Sequence, residues 1–528
     1  MKQLLIMLLL CLGMAYPSPA QQYFNVRNPL NSFTSILTSI VPNNDKYYSI
    51  GPCIDSINYI GNGQAIPISG IKFVVFDKNG KKLRDTVYQK PYRNFDPWSN
   101  NLYLMPNHTL LLASEEYDTG GIAKILLVNF DTLGQVLWDK SIDKPLCTSF
   151  NEYWIKVVDL KPVEYGNWLL LSRISCKSNP NSRHLGILLT KLDSNFNVVW
   201  NKLQGHPYMD DGGWKILMQS DGYLIAGGRT NILQVEKNFI CRALLLKTDL
   251  NGNKLWEWLS DPTKKTFEAQ DVIRTKDGGY LYCGQGDGYE YPSANGQSGY
   301  LAFRGWVEKL DSNRKIVWNR SFNNYYGNTE FKKIIEAPDG RLFLFGNKYM
   351  PDSLGPDNWL VHTRGWFMTL SANGDSLNER IYYGVNTCSD KNLLYDAQQT
   401  DDGGFILCGE ATDRCSGFTP PSQRGWLVKV DSNGCLGPGD PQCWPTAVPA
   451  TPKTPSFFTY PNPVNDEWNI ANPQNYTLRL SITDLTGRTL LETQSAATTI
   501  RLSLANLASG IYLYQIKTNN GTTTQGKI

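Results

Sequence analysis

Apolar and polar positions alternate along this chain in short runs, and each run stops at glycine, asparagine or aspartate. SDGYLIAGG (220–228), KDGGYLYCG (276–284), PDGRLFLFG (338–346) and DDGGFILCG (401–409) show the pattern, with weaker versions in NNDKYYSIG (43–51), PNHTLLLAS (106–114) and YGNWLLLSR (165–173). Alternation with a period of two puts side chains on opposite faces of a strand. Asp-Gly or Asn-Gly between such runs marks a tight hairpin, because Gly and Asn tolerate the positive φ of the favoured turns. No unit carries the 3.6-residue apolar stripe of a helix.

A second phrase follows each of these, an apolar run that ends in aspartate and a turn: VVFDKNG, LVNFDTLG, LTKLDSNF, LLKTDLNG, and then Asp311, Ser371 and Asp431 in the same place. From Asp77 through Asp131, Asp193 and Asp249 to Asp431 the steps are 54, 62, 56, 62, 60 and 60 residues. RGW precedes the last three copies, and a tryptophan stands seven residues after the turn position at Trp138, Trp200, Trp256 and Trp318, with Arg84 and Asn378 there in two other copies. Each unit reads as four strands. Seven such units predict an all-β chain whose main body, 21–440, is a seven-bladed β-propeller. The first blade begins at SFTSILTSI (32–40), and the seventh lacks a last strand after Gly434, so QYFNVRN (22–28) is the predicted donor that closes the ring. The aspartate is expected to bond the amides of its own turn rather than to hold calcium, since one copy has Ser371 instead. The tryptophans are expected to pack blade on blade, because they recur in every good copy.

Composition narrows the classes. A chain of 528 residues suggests two to four domains at roughly 100–200 residues each, and 41% hydrophobic with 19% charged residues supplies a large core. A net charge of +3 without a basic stripe argues against nucleic acid as a partner. The N-terminus, MKQLLIMLLLCLGMAYPSPAQQ, reads as a signal peptide over 1–20 with cleavage near Ala20, so the chain is bound for the periplasm and beyond. Lipid attachment at Cys11 is disfavoured by Leu10 before it. Of eleven cysteines, ten follow that segment, and disulfides are the default in an oxidising compartment. Cys408 with Cys415 and Cys435 with Cys443 are close enough in sequence to staple one loop each. No CxxC pair occurs and the four histidines are scattered, so no metal site is expected.

The repeat over about 30–440, with its lysine, apolar, aspartate, Asn-Gly and tryptophan pattern, resembles quinoprotein-like and related bacterial propellers. That resemblance implies a fold and says little of activity. The adjacent cysteines of quinone-dependent dehydrogenases are lacking, so no cofactor is expected, and the sialidase turn repeat is not matched. Function in such folds sits in loops at the channel ends. The longest, 286–303, 347–363 and 410–423, fall between the same two strands of consecutive blades and should share a face. Their Tyr289, Tyr291, Tyr300, Tyr349 and Trp359 are candidate contacts for glycan or protein, or else pack the loops on themselves.

A proline-rich linker (441–456) leads to a different style of sequence over 457–528, short alternating strands that predict a small β-sandwich. Here Tyr460-Pro461-Asn462-Pro463, the Asp484-Leu485-Thr486-Gly487-Arg488 turn, the segment from Leu507 through Gly510 to Tyr512, and Lys527 near the end are similar to the type A C-terminal sorting domain of the type IX secretion system of Bacteroidetes. The resemblance implies two partners, the outer-membrane translocon and a sortase-like peptidase that removes the domain, and a destination outside the cell or on its surface. An appended sandwich with a ligand of its own is the other reading. The expected function is a secreted or surface-held propeller that binds glycan or protein without catalysis. The alternatives are a polysaccharide hydrolase or lyase with carboxylates at the channel mouth, and a surface-layer component.

Overall fold

The computed structural model describes residues 23–528 apart from 29–33, 60–64, 99, 119–122, 143–152, 180–181, 207–208, 231–240, 265–267, 291–300, 323–328, 352–360, 388–389, 414–422, 439, 444–457, 461–465, 473–475 and 520–522. The segment expected to be a signal peptide, 1–20, therefore lies outside the described residues. The chain divides into two compact units, Met1–Gln442 and Cys443–Ile528. Both are built of strands, with two short 3₁₀ turns, Glu164–Gly166 and Pro262–Lys264, as the helical elements among the described residues. None of the described helices is long and apolar enough to cross a membrane.

The first unit contains seven small antiparallel sheets, one per repeat. In the fifth, for example, Glu268–Arg274, Tyr280–Glu290, Leu301–Leu310 and Ile316–Phe322 pair in sequence order. The first and second sheets count five strands because their first strand is broken in two: Thr34–Ser35 and Ser39–Asn43, then Asn94–Phe95 and Leu102–Leu104. In the second sheet the break falls at Pro97, which has no N–H to give a ladder.

The seventh sheet is completed by Phe24–Asn28, antiparallel to Arg424–Val430 with Phe24 opposite Lys429 and Asn28 opposite Gly425. The N-terminal segment thus supplies the strand that the last repeat lacks. Apolar clusters join each sheet to the next, from Tyr48, Phe73 and Leu126 between the first and second to Phe345, Leu394 and Trp426 between the sixth and seventh. A further cluster joins the seventh to the first through Ile406, Cys408 and Leu427 against Leu37, Val74 and Phe76.

The repeated aspartate turn is a three-residue loop with one residue at positive φ. Asp249 shows it: Gly252 N donates to Asp249 O, Asp249 N to Asn253 O, and Gly252 has φ 76°. Asp249 Oδ1 accepts the amides of Asn251 and Asn253 at 2.9 and 2.8 Å, and the same pair of bonds recurs at Asp77, Asp131, Asp193, Asp311 and Asp431. Ser371 Oγ does the same at 3.3 and 3.1 Å. The carboxylate oxygens are spent on the turn itself.

One disulfide expectation is corrected. Cys435 and Cys443 are disulfide-bonded, but Cys408 is a free thiol, fully buried, on the face of Phe405–Asp413 that packs against the first sheet. Burial pushes that thiol up, and the strand places it in the core between the seventh and first sheets; Cys415 lies outside the described residues.

The second unit has a three-stranded sheet (Phe458–Tyr460, Glu467–Ala471, Thr499–Ser503) and a four-stranded one (Leu478–Thr483, Thr489–Ser495, Leu513–Thr518, Thr523–Lys527). They share one core of Trp468, Ile470, Leu480, Ile482 and Ile516, all almost fully buried.

Candidate functional site

In the third to seventh sheets the first strand carries one residue more than its partner. The irregularities fall between Val157 and Asp159, Gly213 and Lys215, Ala269 and Asp271, Phe331 and Lys333, and Leu394 and Asp396. A bulge leaves its extra residue out of the ladder and re-aims the side chain. Those residues are Val158, Trp214, Gln270, Lys332 and Tyr395, and the last four line one recess together with Trp98 and Asn100. Trp98 and Asn100 come from the break at Pro97 in the second sheet. The recess is a shallow hollow open to solvent, with about 10 Å³ of water-accessible space, room for about one water molecule, so a larger ligand would lie across its rim. Each first strand starts beside the end of the second: Glu268 faces Gln285, Glu330 faces Asn347 and Asp390 faces Asp413. The recess therefore opens toward the edge from which the long connections between second and third strands leave.

Cations and aromatic rings alternate around it. Lys156 Nζ lies 4.2 Å from the Trp98 ring centre and pairs with Asp96 at 2.5 Å and Glu115 at 3.7 Å. The Arg173 guanidinium lies 4.6 Å from the Trp214 ring and 3.9 Å from Glu268. Only a glycine at 212 leaves room for it, since a Cβ there would come within 2.8 Å of Arg173 Nε. Lys332 pairs with Glu330 at 2.9 Å. Trp214 Nε1 donates to Glu268 at 2.5 Å, Gln270 donates to the same oxygen at 3.0 Å, and Tyr395 OH donates to Glu410 at 2.9 Å. Burial raises the Glu268 carboxyl above its ordinary range and pushes Glu115 up to about 8, the latter against the pull of Lys156.

One residue further along each strand, acids and amines alternate from sheet to sheet: Asp159, Lys215, Asp271, Lys333, Asp396. Each aspartate accepts the amide of its own successor and one from the next sheet: Ile216 N to Asp159 at 2.8 Å, Ile334 N to Asp271 at 3.0 Å and Ile40 N to Asp396 at 3.1 Å. These carboxylates stitch neighbouring sheets and are not free for chemistry. Lys161, 2.9 Å from Asp159, is held down to about 8 by burial, with Asp159 opposing and Lys215 adding to the shift.

Of the five loop aromatics expected to bind, Tyr349 is half-buried opposite Thr363 and close enough to Tyr395 to help raise its phenol. Tyr289 stands opposite Ala302 at a strand end. Tyr291, Tyr300 and Trp359 lie outside the described residues. Sequence reading missed Trp98, Trp214, Gln270, Lys332 and Tyr395. The signal available was the single irregular position in an otherwise regular first strand. No group of His, Cys, Asp or Glu among the described residues is arranged to hold a metal ion.

In the second unit, Tyr460 stands opposite Asn469, while Pro461, Asn462 and Pro463 lie outside the described residues. Gly487, at φ 87°, closes the Asp484 turn, whose carboxylate accepts the amides of Thr486 and Arg488 at 3.0 Å each. Tyr512 exchanges backbone bonds with Ile528, its hydroxyl donates to Ala508 O at 2.5 Å beside Gly510, and Lys527 pairs with Leu513. The sorting-motif residues thus fix the chain's last strand.

Residues 459–528 match the family described as secretion system C-terminal sorting domain. That part of the chain is an export tail read by the type IX secretion machinery, and it implies delivery to the cell surface or beyond. Comparison with curated proteins finds no match. Similar solved structures include an ulvan-degrading polysaccharide lyase (7% identity, 77% of this chain and 96% of that one, TM-score 0.44). A protein of unknown function from Dyadobacter fermentans is 11% identical over 77% of this chain and 99% of that one, with TM-score 0.40. An α-L-arabinofuranosidase from Clostridium thermocellum is 13% identical over 55% and 95%, with TM-score 0.29.

Proposed function

We propose that the mature chain is a seven-bladed β-propeller followed by a linker and a β-sandwich sorting tail, and that it works outside the cell as a non-catalytic module binding a saccharide at the propeller's axial mouth. The supporting observation is the recess itself. Two indoles and a phenol stand among amide and amine groups, the mixture of flat apolar area and directed polar groups that sugars demand. Tyr289, Tyr291, Tyr300, Tyr349 and Trp359 extend the same rim in this reading, and the signal peptide ends near Ala20.

Non-catalysis rests on how the carboxylates are used. A glycosidase needs two carboxyl groups facing substrate, roughly 5–9.5 Å apart. Glu115 is fully buried, and the throat aspartates bond backbone amides. Glu268, with its raised carboxyl beside Trp214, keeps a second reading alive: a hydrolase or lyase with Glu268 as acid or base.

Titrating the secreted chain and its Trp214→Ala variant against a panel of oligosaccharides tests both. Saturable binding without product, lost in the variant, is the expected result. Product release that disappears in Glu268→Gln would replace binding by catalysis, and binding unaffected by Trp214→Ala would move the site elsewhere.

A further inference from the structure

Lys156 and Arg173 stand directly opposite each other in the ladder of the third sheet. Opposed residues share a face, and like charges so placed cost stability. Both are more than four-fifths buried, at 13% and 17% side-chain exposure, and Lys332 across the recess is at 18%. The carboxylates that answer two of them sit deeper, Glu115 at 0% and Glu268 at 9%, so the amines and the guanidinium stand in front of their counter-ions. Glu330 is as open as its Lys332, and Asp96, at 43%, is the most open of these acids; both are already paired. Arg173 Nε is buried without a hydrogen-bond acceptor among the described residues. That Nε lies beside Gly212, which has no side chain to cover it, and the guanidinium is backed by the Trp214 indole.

Resting on the saccharide reading above, we propose that the mouth selects sugars that carry an anion, a carboxylate or a sulfate, with Lys156, Arg173 and Lys332 taking the charged group and Trp98 and Trp214 taking the ring. Guanidinium meets either oxyanion through paired N–H donors, and two flanking amines add charge in a partly desolvated place where it is weakly screened. A neutral sugar offers the Arg173 donor only hydroxyl and ring oxygens, weaker acceptors than an oxyanion.

The test is equilibrium binding of the full secreted chain to three probes of matched length: a polygalacturonate oligosaccharide, its fully methyl-esterified form, and a sulfated galactan oligosaccharide. The expected result is at least tenfold tighter binding of one or both charged probes than of the ester, an affinity that falls as salt rises, and loss of that preference in Arg173→Gln and Lys332→Met. Thermal unfolding of the two variants separates lost recognition from lost fold. Should Arg173→Gln fail to fold, Lys332→Met decides alone. Preference for the carboxylated over the sulfated probe, or the reverse, identifies the anion. Equal binding of the ester and the charged probes overturns the anion inference and leaves the saccharide reading standing. A blank against all three and against the wider panel overturns both.

Discussion

At the level of single residues, the glycine at or next to the end of five of the seven hairpin phrases has a physical cause. A Cβ on Gly51, Gly227, Gly284, Gly346 or Gly409 would lie 1.8–1.9 Å from the carbonyl oxygen of a residue on the neighbouring first strand, namely Ile36, Gly212, Glu268, Glu330 and Leu393. In the fourth to seventh sheets a carbonyl beside the irregular position leans over the second strand and a glycine stands there, whereas Ser172 holds that place in the third. Gly284→Ala should cost about 3–5 kcal/mol, the range of severe core damage. A denaturant midpoint within experimental error of the wild type would discredit this account. Glu115 gives a prediction in pH. Its carboxyl is raised from 4.5 to about 8, so between those values the folded state holds a proton that the unfolded state releases. Its contribution is complete below pH 4.5 and is lost as pH rises through 8. Glu115→Gln should therefore unfold at a higher temperature than wild type at pH 8 and draw level near pH 4.5, with Lys156 keeping Asp96 as partner. A difference that grows toward acid would mean that the pairing with Lys156 outweighs burial.

The strands and their turns were legible because they are local: a period of two, Gly at positive φ, and an aspartate whose carboxylate bonds amides two and four residues on. How repeats meet was half legible. The tryptophan seven residues after one turn packs on the next turn, at the residue that needs positive φ. Trp200 would meet a Cβ on Gly252, and Trp318 one on Gly374. Trp138 packs 4.8 Å from Phe196 with the rings tilted at 43°, and Trp256 lies under Arg314 at 4.6 Å. Phe24 fills the same role against Gly80 of the first sheet, from the strand that the N-terminal segment lends to the seventh. The recess was not legible, because its side chains come from five repeats and sit at the positions that break the repeat. Deleting 21–31 removes five laddered residues with the bonds of Asn25 to Trp426 and Arg27 to Ala411. At roughly 1 kcal/mol per bond the loss should exceed ~5 kcal/mol, and the bared edge of Arg424–Val430 should promote association. Unchanged thermal unfolding in a monomeric product would show that the seventh sheet does not depend on its borrowed strand.

On the scale of the whole molecule, the two units have separate cores. The apolar clusters of the first draw on residues up to Leu436, and that of the second begins at Trp468. Folding of the first should therefore not need the second, whereas export should. In the tail, Tyr512 and Lys527 take part in holding the final strand against Leu513–Thr518, whose Ile516 is fully buried. A machine that reads the tail must read that folded surface, so unfolding it without removing it should have the same effect as truncation. Ile516→Asp and a chain ending at 458 are both expected to accumulate in the periplasm with thermal unfolding of the first unit as in wild type, while Arg479→Ala, on an exposed strand position, passes to the surface. If Ile516→Asp is exported normally, the machinery reads linear sequence and the fold of the tail is incidental. If the truncated chain also leaves the cell, the address lies in the first unit. Retention of both with the first unit intact would place the export address in the folded tail.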